Sequence, residues 1–126
     1  MAEASIGLVL DCADPEALAG FWSSALGLQQ LGSAGNYVLL ASPSGTLPQL
    51  LLQRVAEAKA AKNRMHLDIV TPDIDAETAR LEGLGARRVE TQARTEFGHT
   101  WVIMTDPEGN EFCVCDSGQG GAAHQD

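Results

Sequence analysis

Basic residues are scarce in this chain: eight Lys and Arg stand against seventeen Asp and Glu, for a formal net charge of −9. So acidic a protein lacks the cationic footprint that a phosphate backbone requires, which excludes a nucleic-acid binder. The balance suits a neutral or cationic small ligand, although acidic surface also simply serves solubility. Cysteine is nearly as scarce. Three residues, Cys12, Cys113 and Cys115, make an odd number without a CxxC spacing, so neither a disulfide framework nor a zinc knuckle is indicated. Reduced thiols and a cytoplasmic location are expected. No apolar run approaches membrane-spanning length. The opening MAEASIGLVLDCADP has no basic n-region, and its apolar run is too short for a signal peptide.

What is present describes an ordinary globule. The 126 residues are 44% apolar and 20% charged, enough for one domain with a true core. Residues 5–12 are apolar and β-capable. They run into Asp14-Pro15, an N-cap followed by proline at the first helical position. Ala17, Leu18, Phe21, Trp22, Ala25 and Leu26 recur at helical spacing until Gly27 stops the helix. Strands are predicted around 28–32, 36–41 and 49–55, and residues 55–63 read as a polar connector with room for a helical turn. The pattern then restarts. Residues 65–70 read as a strand, Asp73 as an N-cap, and Ile74, Thr78, Leu81 and Leu84 as a helical stripe ending at Gly85. Residues 86–91 read as a strand and 91–99 as a loop with His99 exposed, or else at the mouth of a cavity. Strands follow at 100–104 and 111–115, around the turn DPEGN.

At an offset of 59 residues Leu8 meets Leu67, Leu10 meets Ile69 and Asp14 meets Asp73, while Ser42-Pro43-Ser44-Gly45 echoes Asp106-Pro107-Glu108-Gly109. Each half therefore reads β-α-β-β-β. A period this long, used twice, is a duplicated module and not a solenoid. One such half-sheet cannot cover its own inner face, so the modules are expected to pair, within the chain or between chains, and close one sheet over one cavity.

Four features together resemble the vicinal-oxygen-chelate superfamily, the glyoxalase, bleomycin-resistance and dioxygenase fold. They are the paired modules, the helix DPEALAGFW ending in Leu26-Gly27, the strand opening with His66, and DPEGNEFCV near the end. The small glyoxalase-like domain proteins are the nearest in kind. The resemblance spans roughly residues 5–115. It implies an α+β fold, with two βαβββ modules in one chain forming a curved mixed sheet around a cavity and helices outside. The domain is expected over residues 1–115, with module one at about 4–55, a connector at 56–63, module two at about 64–115 and a disordered tail at 116–126.

Strand alternation assigns the faces. If Leu67 and Ile69 meet the helix, then His66, Asp68 and Val70 face the cavity. By the offset, Gly7, Val9 and Asp11 do the same. Gln49, Leu51 and Gln53 point inward if Leu50 and Leu52 take the helix side. Phe112 and Val114 suit the core, which leaves Glu111, Cys113 and Cys115 inside with Trp101 and Ile103 across the hairpin, unless a bulge at Gly109 reverses the phase. Metal-dependent members of the superfamily place one ligand on each of four inner strands, usually two His and two Glu. By position only His66 is kept. The others fall on Gly7, on Gln49 or Gln53, and on Cys113, seven residues after Asp106. No metal cofactor is expected on that count, and a divalent ion stands as the alternative.

The resemblance leaves three functions open. One is a metal-free protein that binds a small organic molecule. A second is a metal-free isomerase, lyase or cyclase with His66 as acid or base and Asp68 or Asp11 as its partner, Asp68 being the one assigned to the catalytic pair. The third is a metal-dependent lyase or dioxygenase. Asp11, Gln49, Gln53, Trp101, Ile103, Glu111 and Cys113 are the candidate ligand contacts. The expected partners are a small organic ligand and a second copy of the chain, with no nucleic acid and no membrane.

Overall fold

The structure, a computed structural model, describes residues 6–116. The expected tail beyond Asp116, with His124, lies outside the described residues. Two compact units divide at Lys59 and Ala60.

The first unit runs β1 (Leu8–Cys12), α1 (Pro15–Leu26), β2 (Gln29–Ala34), β3 (Tyr37–Ala41) and β4 (Leu50–Arg54). Helix α1 starts where the Asp14 carboxylate accepts the Ala17 N–H at 3.3 Å, with Pro15 supplying a fixed φ at the first turn. It ends because Gly27 adopts φ 65°, which turns the chain so that the Leu28 N–H reaches the Ser23 carbonyl. The sheet order is β1-β4-β3-β2, with β1 parallel to β4 and the other pairs antiparallel. Alternation sends Leu50 and Leu52 of β4 and Val38 and Leu40 of β3 to the helix side. There they are buried with Leu18, Phe21, Trp22 and Ala25. Phe21 and Trp22 meet edge to face, 5.0 Å between centroids.

The second unit repeats this plan as β5 (Leu67–Thr71), α2 (Ile74–Leu84), β6 (Arg87–Arg88), β7 (Arg94–Glu96), β8 (His99–Thr105) and β9 (Glu111–Asp116). Asp73 caps α2 by accepting the Ala76 N–H at 3.1 Å, and Gly85 closes it at φ 118°. The order is β5-β9-β8-β6, with β7 also on β8. Again the outer pair, β5 with β9, is parallel. Leu81, Thr78, Val102, Met104, Phe112, Val114 and Ile69 form the core beneath α2. The fully buried Thr78 hydroxyl donates to the Ile74 carbonyl and accepts from Arg88, so its burial leaves no polar group unmet.

Several expectations change. Hydrogen bonding gives two mixed sheets of four and five strands, and they are not closed into one. The connector before β5 carries no helical turn. The strand expected over 86–91 shrinks to Arg87–Arg88: the Val89 N–H still reaches the Ile103 carbonyl, and residues 90–93 then lie outside the ladder before pairing resumes as β7. The 91–99 loop is thus part of a hairpin. His99 opens β8 and is buried, 7% exposed. Asp116, assigned to the tail, is the last residue of β9.

Candidate functional site

The DPEGN turn accounts for its own residues. Asp106 is 2% exposed, and its Oδ1 accepts the backbone N–H groups of Glu108 and Asn110 at 2.9 and 3.0 Å. The Asn110 side-chain amide donates to both carboxylate oxygens. Gly109 sits at φ 88°, where a side chain is strained, and its N–H closes the turn on the Asp106 carbonyl. The motif fixes the β8–β9 register and leaves no free group for chemistry. Glu111 is likewise engaged: its carboxylate accepts the Asn63 N–H at 2.9 Å, tying the connector to β9.

Beyond the turn, the register sets two cross-strand rows on the face of the second sheet opposite α2. Asp68 lies beside Cys113, which lies beside Ile103; Val70 lies beside Cys115, which lies beside Trp101. Trp101, Ile103, Cys113 and Cys115 pack as one buried apolar cluster. Asp68 and Val70 on the outer strand are exposed. His66, just before β5, is half-buried, with Nε2 3.4 Å from Asp68 Oδ1. An imidazole, a carboxylate and an apolar floor thus meet on one face. The Cys115 thiol is pushed up to about 11, first by burial and then by the negative charges of Asp68 and Asp116, so at neutral pH it is a neutral apolar group and no nucleophile.

In the first unit, Asp11, Gln53 and Tyr37 form one row and Val9, Leu51 and Leu39 the next. Asp11 is exposed and Gln53 half-buried. Gln49 lies outside β4, exposed, and lends only its carbonyl to Leu8. A shallow groove of about 290 Å³ lies between Leu31, Tyr37 and Leu39. Tyr37 has no counterpart among the expected site residues, and only the register reveals it. His99 was also hidden. Its Nδ1 lies 3.7 Å from Asp116 Oδ1, and Thr100 N–H donates to the other oxygen of the same carboxylate. The signal was the hairpin parity that puts His99 in phase with Trp101.

A family model for the glyoxalase-like domain matches residues 7–115. The chain belongs to the glyoxalase-like domain family. A search of the curated proteins finds no match. Solved structures agree in fold. A glyoxalase/bleomycin resistance protein/dioxygenase from Nocardioides is 18% identical, with 99% of this chain and 91% of that one covered and a TM-score of 0.75. A family enzyme from Burkholderia phytofirmans PsJN is 14% identical over 86% and 94%, with a TM-score of 0.72. A genomically encoded fosfomycin resistance protein from Listeria monocytogenes is 13% identical over 92% and 94%, with a TM-score of 0.71. At these identities the likeness is one of fold.

The family often binds a divalent metal, so the donors of this glyoxalase-like chain are a fair test. Gly7 stands just before β1 where His66 stands just before β5. A Cβ there would meet nothing within 4 Å, so packing does not demand the glycine. The register also settles the other position. Cys113 pairs with Asp68, and its counterpart beside Val9 is Leu51, not Gln49 or Gln53. The first unit therefore offers no ligand at either position, and the usual two-His, two-Glu set for a hard ion is absent. Instead His66, Asp68 and Cys113 bring one nitrogen, one oxygen and one sulfur within 4.8 Å of one another.

Proposed function

We propose that this glyoxalase-like protein binds a small neutral or cationic organic molecule on the face carrying His66, Asp68 and Trp101, without needing a resident metal, and that His66 exchanges a proton with it. The observation that carries the reading is the His66–Asp68 pair at 3.4 Å, set half-open beside the buried Trp101–Ile103–Cys113–Cys115 floor. An apolar floor with a few convergent polar groups is what small-ligand sites present. Asp68 orients the ring and favours the tautomer that keeps a proton on Nε2. An acidic carbon–hydrogen bond next to a carbonyl, or the proton of an attacking hydroxyl, is the chemistry one such base handles, so isomerase, lyase or cyclase action fits. Binding without turnover is the second reading; a resistance protein among the structural neighbours supports it. Asp11, Gln53 and Ile103 are further candidate contacts.

The same reading takes the protein to be a cytoplasmic homodimer. Three buried thiols outside any disulfide support the location. The exposed Val9, Leu31, Met65, Val70 and Phe97 supply apolar surface for a second copy to cover. Light scattering at micromolar concentration reads the dimer directly, and a monomer refutes it. The site itself is tested with a Trp22→Phe variant, which makes Trp101 the sole tryptophan. A panel of small carbonyl, amine and hydroxyl compounds is titrated against its fluorescence. Saturable quenching that His66→Ala abolishes supports the site; quenching indifferent to His66 removes the histidine from it.

A further inference from the structure

We propose that the first unit carries a ligand site of its own, a groove on the sheet face opposite α1 that takes an organic amine, with Asp11 on the cationic end and Tyr37 on the apolar body. The strand register builds it. Asp11, Gln53, Tyr37 and Ala34 stand side by side across β1, β4, β3 and β2, and Val9, Leu51, Leu39 and Gly32 form the next row. Residues in phase on paired strands present one face, so a polar row borders an apolar one. The groove of about 290 Å³ lies at the β2 end, between Leu31, Tyr37 and Leu39. Two features of β2 make it. Gly32, Ser33 and Ala34 put little side chain over the sheet, and a Cβ added at Gly32 would meet nothing within 4 Å. The register also shifts between Gln30 and Gly32, so Leu31 is an extra residue in the strand and becomes one wall.

Charge selects the ligand. The four strands hold only two charged residues. Arg54 is in phase with Leu52 on the helix side and donates to the Ala13 carbonyl, which leaves Asp11 as the one charge the strands give to the opposite face. Among the described residues, no hydrogen bond or ion pair engages the Asp11 carboxylate, the Gln53 amide or the Tyr37 hydroxyl. Three polar groups in one row, available to a ligand beside an apolar groove, are what a small-molecule site presents. A carboxylate repels anions and draws an ammonium, and the neighbouring Gln53 side-chain oxygen can accept a second ammonium N–H. Neighbouring strands lie about 4.8 Å apart, so Asp11 and Tyr37, two strands apart, are about 10 Å apart at Cα. That span sets the length of the ligand, an ammonium at one end and an aryl or alkyl body against Tyr37, Leu39 and Leu31 at the other. Leu31 and Tyr37, 59% and 44% exposed, supply the apolar surface that such a body covers. The site takes Asp11 and Gln53 as its own contacts and does not depend on the His66 reading.

Tyr37 is the sole tyrosine, so protein grown with 3-fluorotyrosine gives one fluorine resonance, and that resonance reports the groove. It is titrated with 4-phenylbutylamine, and with 4-phenylbutanol and 4-phenylbutanoate, which keep the body and change the end. The amine should shift the resonance saturably. The alcohol should bind about fivefold more weakly, the most that an exposed ion pair contributes, and the carboxylate more weakly than the alcohol. Asp11→Asn should lower the amine to the affinity of the alcohol and leave the alcohol unchanged, and added salt should weaken the amine alone. Gly32→Val, which fills open space on a strand without backbone strain, should weaken amine and alcohol alike by about tenfold or more. An unshifted resonance, a carboxylate that binds as tightly as the amine, or an amine affinity indifferent to Asp11→Asn or to Gly32→Val overturns the site. Because Tyr37 is the reporter, none of these outcomes alters the Trp101 titration that tests the His66 face.

Discussion

Replacing Asp106 with alanine removes the acceptor on which the DPEGN turn is built. The carboxylate is 2% exposed and takes two backbone N–H groups, those of Glu108 and Asn110, as well as the Asn110 side-chain amide. Hydrogen bonds to a charged group contribute about 1.5–3 kcal/mol each, and a buried donor left without an acceptor costs about 1–3 kcal/mol. Part of the loss is returned, since the folded state no longer has to desolvate a carboxylate. Two backbone donors lost, less that return, give a destabilisation of about 3 kcal/mol. At about 4 °C per kcal/mol for a chain of this size, the melting temperature falls by about 12 °C. Asp106→Asn, which keeps one acceptor oxygen, should lose about half as much. The assay is urea unfolding at unchanged m-value, with ligand quenching of Trp101 measured on the folded fraction. A loss below about 1 kcal/mol, or a variant of normal stability that no longer binds, refutes the assignment of this turn to structure.

Other outcomes follow from the same geometry. His66→Ala should change stability by less than about 1 kcal/mol while abolishing turnover, and His66→Gln should retain part of the binding and none of the proton transfer, because an amide does not titrate near neutrality; equal activity in the two variants sinks the acid–base role. The Cys115 thiol, raised to about 11, ionises more readily unfolded than folded. The unfolded chain thus holds fewer protons between about pH 9 and 11, so stability is intact below that window and declines as pH rises through it, with Cys115→Ala showing a flatter profile. Manganese(II) should stay free in solution, since Gly7 and Leu51 offer it no ligand; a bound-manganese resonance signal contradicts this.

Helix ends were the most legible part of the sequence, because Asp14-Pro15, Gly27, Asp73 and Gly85 each act within one turn of the chain. Alternation likewise separated Leu50 and Leu52 from Leu51. What escaped was anything decided by a partner strand. Gln49 and Gln53 looked like the polar counterparts of Cys113, yet the ladder places Leu51 there, and no local rule reveals which of three consecutive inward steps faces a given neighbour. His99 reads as a loop residue between Gly98 and Thr100 until β7 pairs with β8 and covers it. The break between Arg88 and Arg94, where β6 gives way to β7, likewise carries no local signal.

In each half the parallel outer strand is also the one joined across the longest stretch of chain. Cys12 reaches the Gln53 carbonyl across 41 residues, and Cys115 reaches that of Ile69 across 46. The antiparallel neighbours are joined by much less chain, residues 42–49 between β3 and β4 and 106–110 between β8 and β9. Closing the longer loops of β1 and β5 costs more chain entropy before any contact rewards it. Folding is therefore expected to proceed from the antiparallel ladders outward. On that reasoning the strand that carries Asp68, with His66 at its start, is expected to order last in its unit and to open first, so the proposed ligand face would be assembled on the least committed part of the sheet.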